Sequence, residues 1–145
     1  MNQLFLADLD QMTDTEVRRH LMDQYEAGAG ELDLYDILVA YEEQEGYESS
    51  SFFLLQRRAD EVFFENHASH CSCYGYEGRF TPEETTLAYL QSDKFSSGIY
   101  SYGRDKYDEQ VKMFIAGLTE PGTPTPVVQP RRPARRRVFR IEGDD

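Results

Sequence analysis

Five of the six prolines fall between Pro121 and Pro133, and this bounds what the chain can fold into. Proline lacks a backbone N–H and locks φ near −65°, so such a run carries neither helix nor central strand and favours extended polyproline II. Before it, apolar residues recur without interruption to Leu118; after it come arginines and an acidic end. The sequence therefore divides near Thr119 into a folded domain, 1–119, and a Pro/Arg-rich tail, 120–145. Hydrophobic residues make up 39% of the 145 and aromatics 13%, enough for one modest core. With no Trp, that core draws its large side chains from ten Tyr and nine Phe.

Charge divides at the same place. The chain has 15 basic and 27 acidic side chains, a formal net charge of −12. The tail holds six arginines (Arg131, Arg132, Arg135, Arg136, Arg137, Arg140) and four acids, leaving nine basic and 23 acidic side chains, a net of −14, in 1–119. An acidic body with a basic arm is the layout of a chain that meets charged partners.

Local patterns give the expected elements. Thr13-Asp14-Thr15-Glu16 is a capping box, and Val17, Leu21, Met22 and Tyr25 follow at helical spacing, predicting a helix over 14–27 that Gly28 ends. Residues 3–9 read as a short preceding turn of helix. Leu34, Ile37, Leu38 and Tyr41 fit the helical stripe again, predicting a second, antiparallel helix over 31–44. The aromatic-rich runs 51–57 and 61–65 predict a β-hairpin, with a third strand through 69–74. Thr81-Pro82-Glu83-Glu84 reads as another helix start, with Leu87 and Leu90 behind it, and a fourth helix is predicted over 104–118. Residues 95–103 read as an aromatic-rich loop. The fold class is α+β: a small antiparallel hairpin or three-stranded sheet packed against about four short helices, with a disordered or extended C-terminal tail.

Four soft-metal ligands, His67, His70, Cys71 and Cys73, fall within seven residues. Zinc takes four such N and S ligands in a tetrahedron, and is the cofactor this segment would hold. The spacing fits poorly, because on a strand His70 and Cys71 point to opposite faces. A cysteine nucleophile with a histidine base is a second reading, though no third, orienting group is identifiable. A third is packing: Cys71 and Cys73 share a strand face and point into the core. With one residue between them they close no useful disulfide loop, so free thiols in a reducing compartment are expected. No segment approaches the roughly 20 apolar residues that span a bilayer, and the N-terminus lacks a basic, then apolar, leader; the expectation is a cytoplasmic protein with no membrane partner.

The stretch His70-Cys71-Ser72-Cys73-Tyr74-Gly75, then Glu77-Gly78, then Pro82-Glu83-Glu84-Thr85, resembles a block in small uncharacterised bacteriophage proteins, where it also follows an apolar hairpin and a short acidic stretch. The resemblance covers residues 45–90. The chain departs from it at Arg79-Phe80, where a Gln-aromatic pair is usual, and in lacking an Asp-Gly hairpin turn. It implies a phage-encoded protein acting in the host bacterial cytoplasm or in a virion, and assigns no catalytic residue.

The function expected is therefore that of a non-enzymatic bacteriophage interaction protein. It would bind a host or phage macromolecule through its acidic helical face and its Arg-rich arm, as a host-takeover or anti-defence factor or a minor virion component. The arm would also make weak, non-specific contact with nucleic-acid phosphates. One alternative is a small zinc-binding or cysteine-dependent enzyme using the 67–73 segment. Another is an acidic DNA mimic built on Asp8, Asp10, Asp14, Asp23, Glu26, Glu31, Asp33 and Asp36, which would have to match a duplex charge spacing of about 1.7 Å.

Overall fold

A computed structural model describes residues 2–71, 75–99 and 105–120. The arm, with Arg131, Arg132, Arg135, Arg136, Arg137 and Arg140, and also Cys73, lies outside the described residues. Helix α1 (Asp14–Tyr25) begins where the capping box places it: Thr13 Oγ1 accepts from the Glu16 N–H, and Glu16 Oε1 accepts from the Thr13 N–H. It buries Val17, Leu21 and Tyr25, and Glu26, in left-handed conformation, ends it before Gly28. A single turn, α2 (Ala29–Leu32), follows.

The expected second helix is instead a long strand, β2 (Tyr35–Glu45), hairpinned to β3 (Glu48–Arg57). Ile37 to Tyr41 is a continuous apolar run, and all five residues are buried. Such a run is a strand covered on both faces, and over so short a stretch its spacing also satisfies a helical stripe. A bulge between Ile37 and Val39 adds to the ambiguity, because it breaks strict alternation. Gly46 (φ +61°) supplies the left-handed turn of the hairpin.

The segment read as a leading helical turn is β1 (Leu4–Ala7), parallel to β2; its partners lie 35 residues away, beyond the reach of local pattern. The predicted 61–65 and 69–74 strands are one, β4 (Phe63–Cys71), antiparallel to β3. The expected helix start at Thr81 is corrected too. Glu83–Thr85 forms β5 against Phe63–Glu65, and the cap is Thr86, whose Oγ1 accepts from the Tyr89 N–H of the single turn α3 (Leu87–Leu90). Helix α4 (Asp105–Ala116) matches the prediction.

Among the described residues the sheet has five strands in the order β1-β2-β3-β4-β5, mixed rather than three-stranded and antiparallel. The fold is α+β, and helices cover both faces. On one face Val17, Leu21 and Tyr25 of α1 meet Ile37, Phe53, Leu55 and Phe64. On the other, Leu87, Leu90, Val111 and Ile115 of α3 and α4 meet Val39, Tyr41, Phe52, Leu54 and Phe63. Each fully buried Phe or Leu contributes about 1.5–3 kcal/mol, so β3, which feeds both layers, anchors the fold.

Candidate functional site at the polar end of the sheet

Strands β2, β3 and β4 change character along their length. One end is apolar and covered; the other reads Glu42-Glu43-Gln44-Glu45, Glu48-Ser49-Ser50-Ser51 and Asn66 to Cys71. Register aligns these polar ends: Glu42 with Ser51 and Ala68, Glu43 with Ser50 and Ser69, Glu45 with Glu48 and Cys71. Because neighbours alternate faces, two different polar surfaces result.

The face under α1 carries a closed network. Tyr25 Oη donates to Glu42 Oε1 at 2.6 Å, and His20 Nε2 meets the same oxygen at 2.9 Å. The rings of Tyr25 and Tyr76 stack at 4.4 Å, and Tyr76 Oη shares a 2.6 Å hydrogen bond with Ser49 Oγ. Buried beside both tyrosine hydroxyls, Ser51 Oγ has no well-aligned partner among the described residues. Burial holds Tyr25 far above the ordinary phenol range, with the Glu42 charge adding to the rise, and pushes Tyr76 up to about 12. The hydrogen bond that His20 donates to Glu42 raises it above the usual imidazole value, against the opposing effect of its burial. This network fixes the sheet's polar end against α1.

The opposite face carries a cleft. It measures about 790 Å³ and is lined by Glu43, Glu45, Glu48, His67 and Ser69, among others, and by Arg79, Ser97 and Gly98. Tyr47, at the tip of the β2–β3 hairpin, is 81% exposed.

Of the sequence-predicted ligands, the described ones, His67, His70 and Cys71, do not converge. His67 lies against Phe52, ring centroids 4.9 Å apart, with Nε2 2.8 Å from Glu65 Oε1. His70 points to the other face, its ring edge-on to Tyr76 and its Nδ1–H donating to the Cys71 carbonyl at 2.7 Å. Cys71 is exposed, which corrects the expectation that it packs in the core: β4 has run past the covering helices by that point. Among the described residues no group of three or more His, Cys, Asp and Glu side chains is arranged to hold a metal ion. Of the DNA-mimic acids, Asp14 and Asp23 lie on α1 and Glu31 on α2, but Asp36 lies on β2. Asp14 pairs with Arg18 and Asp36 with Arg58, both at 2.8 Å.

Sequence reasoning missed Glu42, Glu45, Glu48, Tyr25 and Tyr76 as a group. The available signal was Glu45-Gly46-Tyr47-Glu48, a glycine turn between flanks that alternate once read as strands. Among the described residues no helix is long and apolar enough to cross a membrane. No family model, curated protein or solved structure matches the chain.

Proposed function

We propose that this chain is a non-enzymatic interaction protein, phage-encoded and acting on a host or phage macromolecule in the bacterial cytoplasm or in a virion. Its acidic cleft would take a basic, extended segment of the partner, while the Arg-rich arm makes a second contact. One observation carries the reading: Glu43, Glu45 and Glu48 line one cleft, in a body of net charge −14 by the sequence count. A field of one sign in a cleft concentrates oppositely charged ligands and speeds their capture. Tyr47 beside the cleft supports it, since exposed aromatics are favoured anchors at interfaces. The non-convergence of His67, His70 and Cys71 weighs against the zinc or thiol-enzyme reading, and the Asp14–Arg18 and Asp36–Arg58 pairs weigh against a DNA mimic.

The test is capture from phage-infected bacterial lysate on immobilised full-length chain, at low salt and at about 0.5 M salt, where screening shortens to roughly 4 Å. A specific partner retained at low salt, released at high salt and lost with E43Q/E45Q/E48Q is expected. Retention indifferent to both salt and these substitutions would sink the cleft as the docking face.

A further inference from the structure

A chain of polar and ring contacts joins α1 to the polar end of the β2–β3 hairpin. It starts at His20, whose Nε2 meets Glu42 Oε1 at 2.9 Å, and passes to Tyr25 Oη, which donates to the same oxygen at 2.6 Å. The Tyr25 ring stacks on Tyr76, and Tyr76 Oη shares its 2.6 Å hydrogen bond with Ser49 Oγ. Ser51 Oγ lies buried beside both tyrosine hydroxyls. Glu42 is on β2, Ser49 and Ser51 are on β3, and Glu42 and Ser51 are register partners. Helix α1 therefore grips two adjacent strands where their apolar runs end, at Tyr41 and Phe52.

The same strands carry the cleft. Glu43, next to Glu42, and Ser50, between Ser49 and Ser51, belong to the opposite face and line it. A clamp on one face thus fixes the strands whose other face is a cleft wall. Glu42 is the joint. Its side chain is 13% exposed, so its charge is largely withdrawn from water and depends on its donors. Of the two donors, His20 alone changes charge near neutral pH; burial takes the ionisation of Tyr25 far above that range. His20 faces Glu42 on β2, Asp8 in the turn after β1, and Asp23 and Tyr25 on its own helix, and the three carboxylates all favour the imidazolium. A charged donor bonds a carboxylate roughly twice as strongly as a neutral one. With the proton gone, the imidazole offers Glu42 a neutral N–H or a lone pair, and the clamp weakens.

We propose that the charge on His20 sets how firmly the polar end of the β2–β3 hairpin is clamped to α1, and through it how rigid the cleft wall is: held when His20 is protonated, released when it is neutral. The inference rests on the cleft being a docking face, and adds its regulation. The clamp is at full strength below about 6.5, with Glu42 ionised, and is lost as pH rises through the folded value of His20, which the Glu42 hydrogen bond raises. A wall already held in place binds without the cost of ordering it, so capture by the cleft strengthens as pH falls through that value.

Amide hydrogen exchange on the full-length chain alone, from about pH 6 to 9 and corrected for the intrinsic rate at each pH, tests this without any partner. Protection at 42–44 and 49–51 is expected to fall by about threefold or more across that range in wild type, and to stay below that of 53–55 throughout. In His20→Gln, which keeps a neutral donor, it is expected to be constant. Glu42→Gln, which takes the carboxylate from His20, should likewise remove most of the fall. A smaller fall in wild type overturns the proposal. An equal fall in His20→Gln also overturns it, because the titrating group would then lie elsewhere. So does protection at 42–51 equal to that of 53–55, because the hairpin end would then open only with the whole domain. Each of these results leaves capture of an external partner untouched.

Discussion

At the scale of single residues, Glu42 is the informative position. One of its oxygens accepts from Tyr25 and meets His20, tying the last turns of α1 to the polar end of β2. Removing one partner from such a site leaves a half-buried carboxylate less well satisfied, so Tyr25→Phe should cost about 1–2 kcal/mol in urea unfolding. An unchanged midpoint would mean that the Tyr25 hydroxyl is solvated at no loss. The His20 contribution is pH-dependent. Its folded pKa is raised above the ordinary 6.5 by the Glu42 hydrogen bond, with Asp23 and Asp8 adding charge. The protonated form therefore favours the folded state. Its stabilisation is full below about 6.5, provided Glu42 is ionised, and is lost as pH rises through the folded value. The difference in unfolding free energy between wild type and His20→Gln should shrink across that window. A difference flat from pH 6 to 9 would exclude a charged His20–Glu42 pair.

At the scale of elements, the sequence was most legible where one element carries its own signals. The Thr13–Glu16 box located the start of α1 to the residue, though the helix ends two residues before the expected 27, and the α4 stripe located that helix to within two residues of each end. It was least legible where identity depends on cover from outside. Ile37–Tyr41 satisfies two periodicities, and only helices on both faces make it a strand. Thr81-Pro82-Glu83-Glu84 matches a cap by spacing, but pairing with Phe63–Glu65 decides otherwise. What holds that later segment is Asn66, fully buried, whose side chain bridges the Arg79 carbonyl at 3.2 Å and the Thr81 N–H at 2.6 Å. Asn66→Ala strands both groups and should cost about 2–3 kcal/mol, loosening 79–85 before the rest of the sheet. Exchange at 83–85 that slows or stays constant in the variant would contradict that order.

At the scale of the molecule, the two cores share one sheet. Phe52 and Phe53, adjacent on β3 and both fully buried, belong to opposite layers. Coupling through a common strand predicts a single unfolding transition, with Phe52→Ala and Phe53→Ala each costing about 3–5 kcal/mol and leaving the denaturant slope unchanged. Two transitions in either variant would show that the layers unfold independently. The candidate site has the same origin. Its acids Glu43, Glu45 and Glu48 lie within six residues around the β2–β3 turn, and the hairpin register puts them on one face.

By itself the sequence determined where regular helix and central strand are disfavoured, between Pro121 and Pro133, because proline's missing N–H and fixed φ act wherever they occur. It also determined α1, whose capping groups lie three residues apart, and the division of charge, which is a count. Only the tertiary structure decided that β2 is a strand, that His67 and His70 face apart, and that Glu43, Glu45 and Glu48 share one cleft. Those outcomes depend on which residues lie opposite one another across strands and on what covers each face. The first is a relation between distant parts of the chain, which a local pattern does not contain; the others follow from alternation and register once the segments are known to be strands.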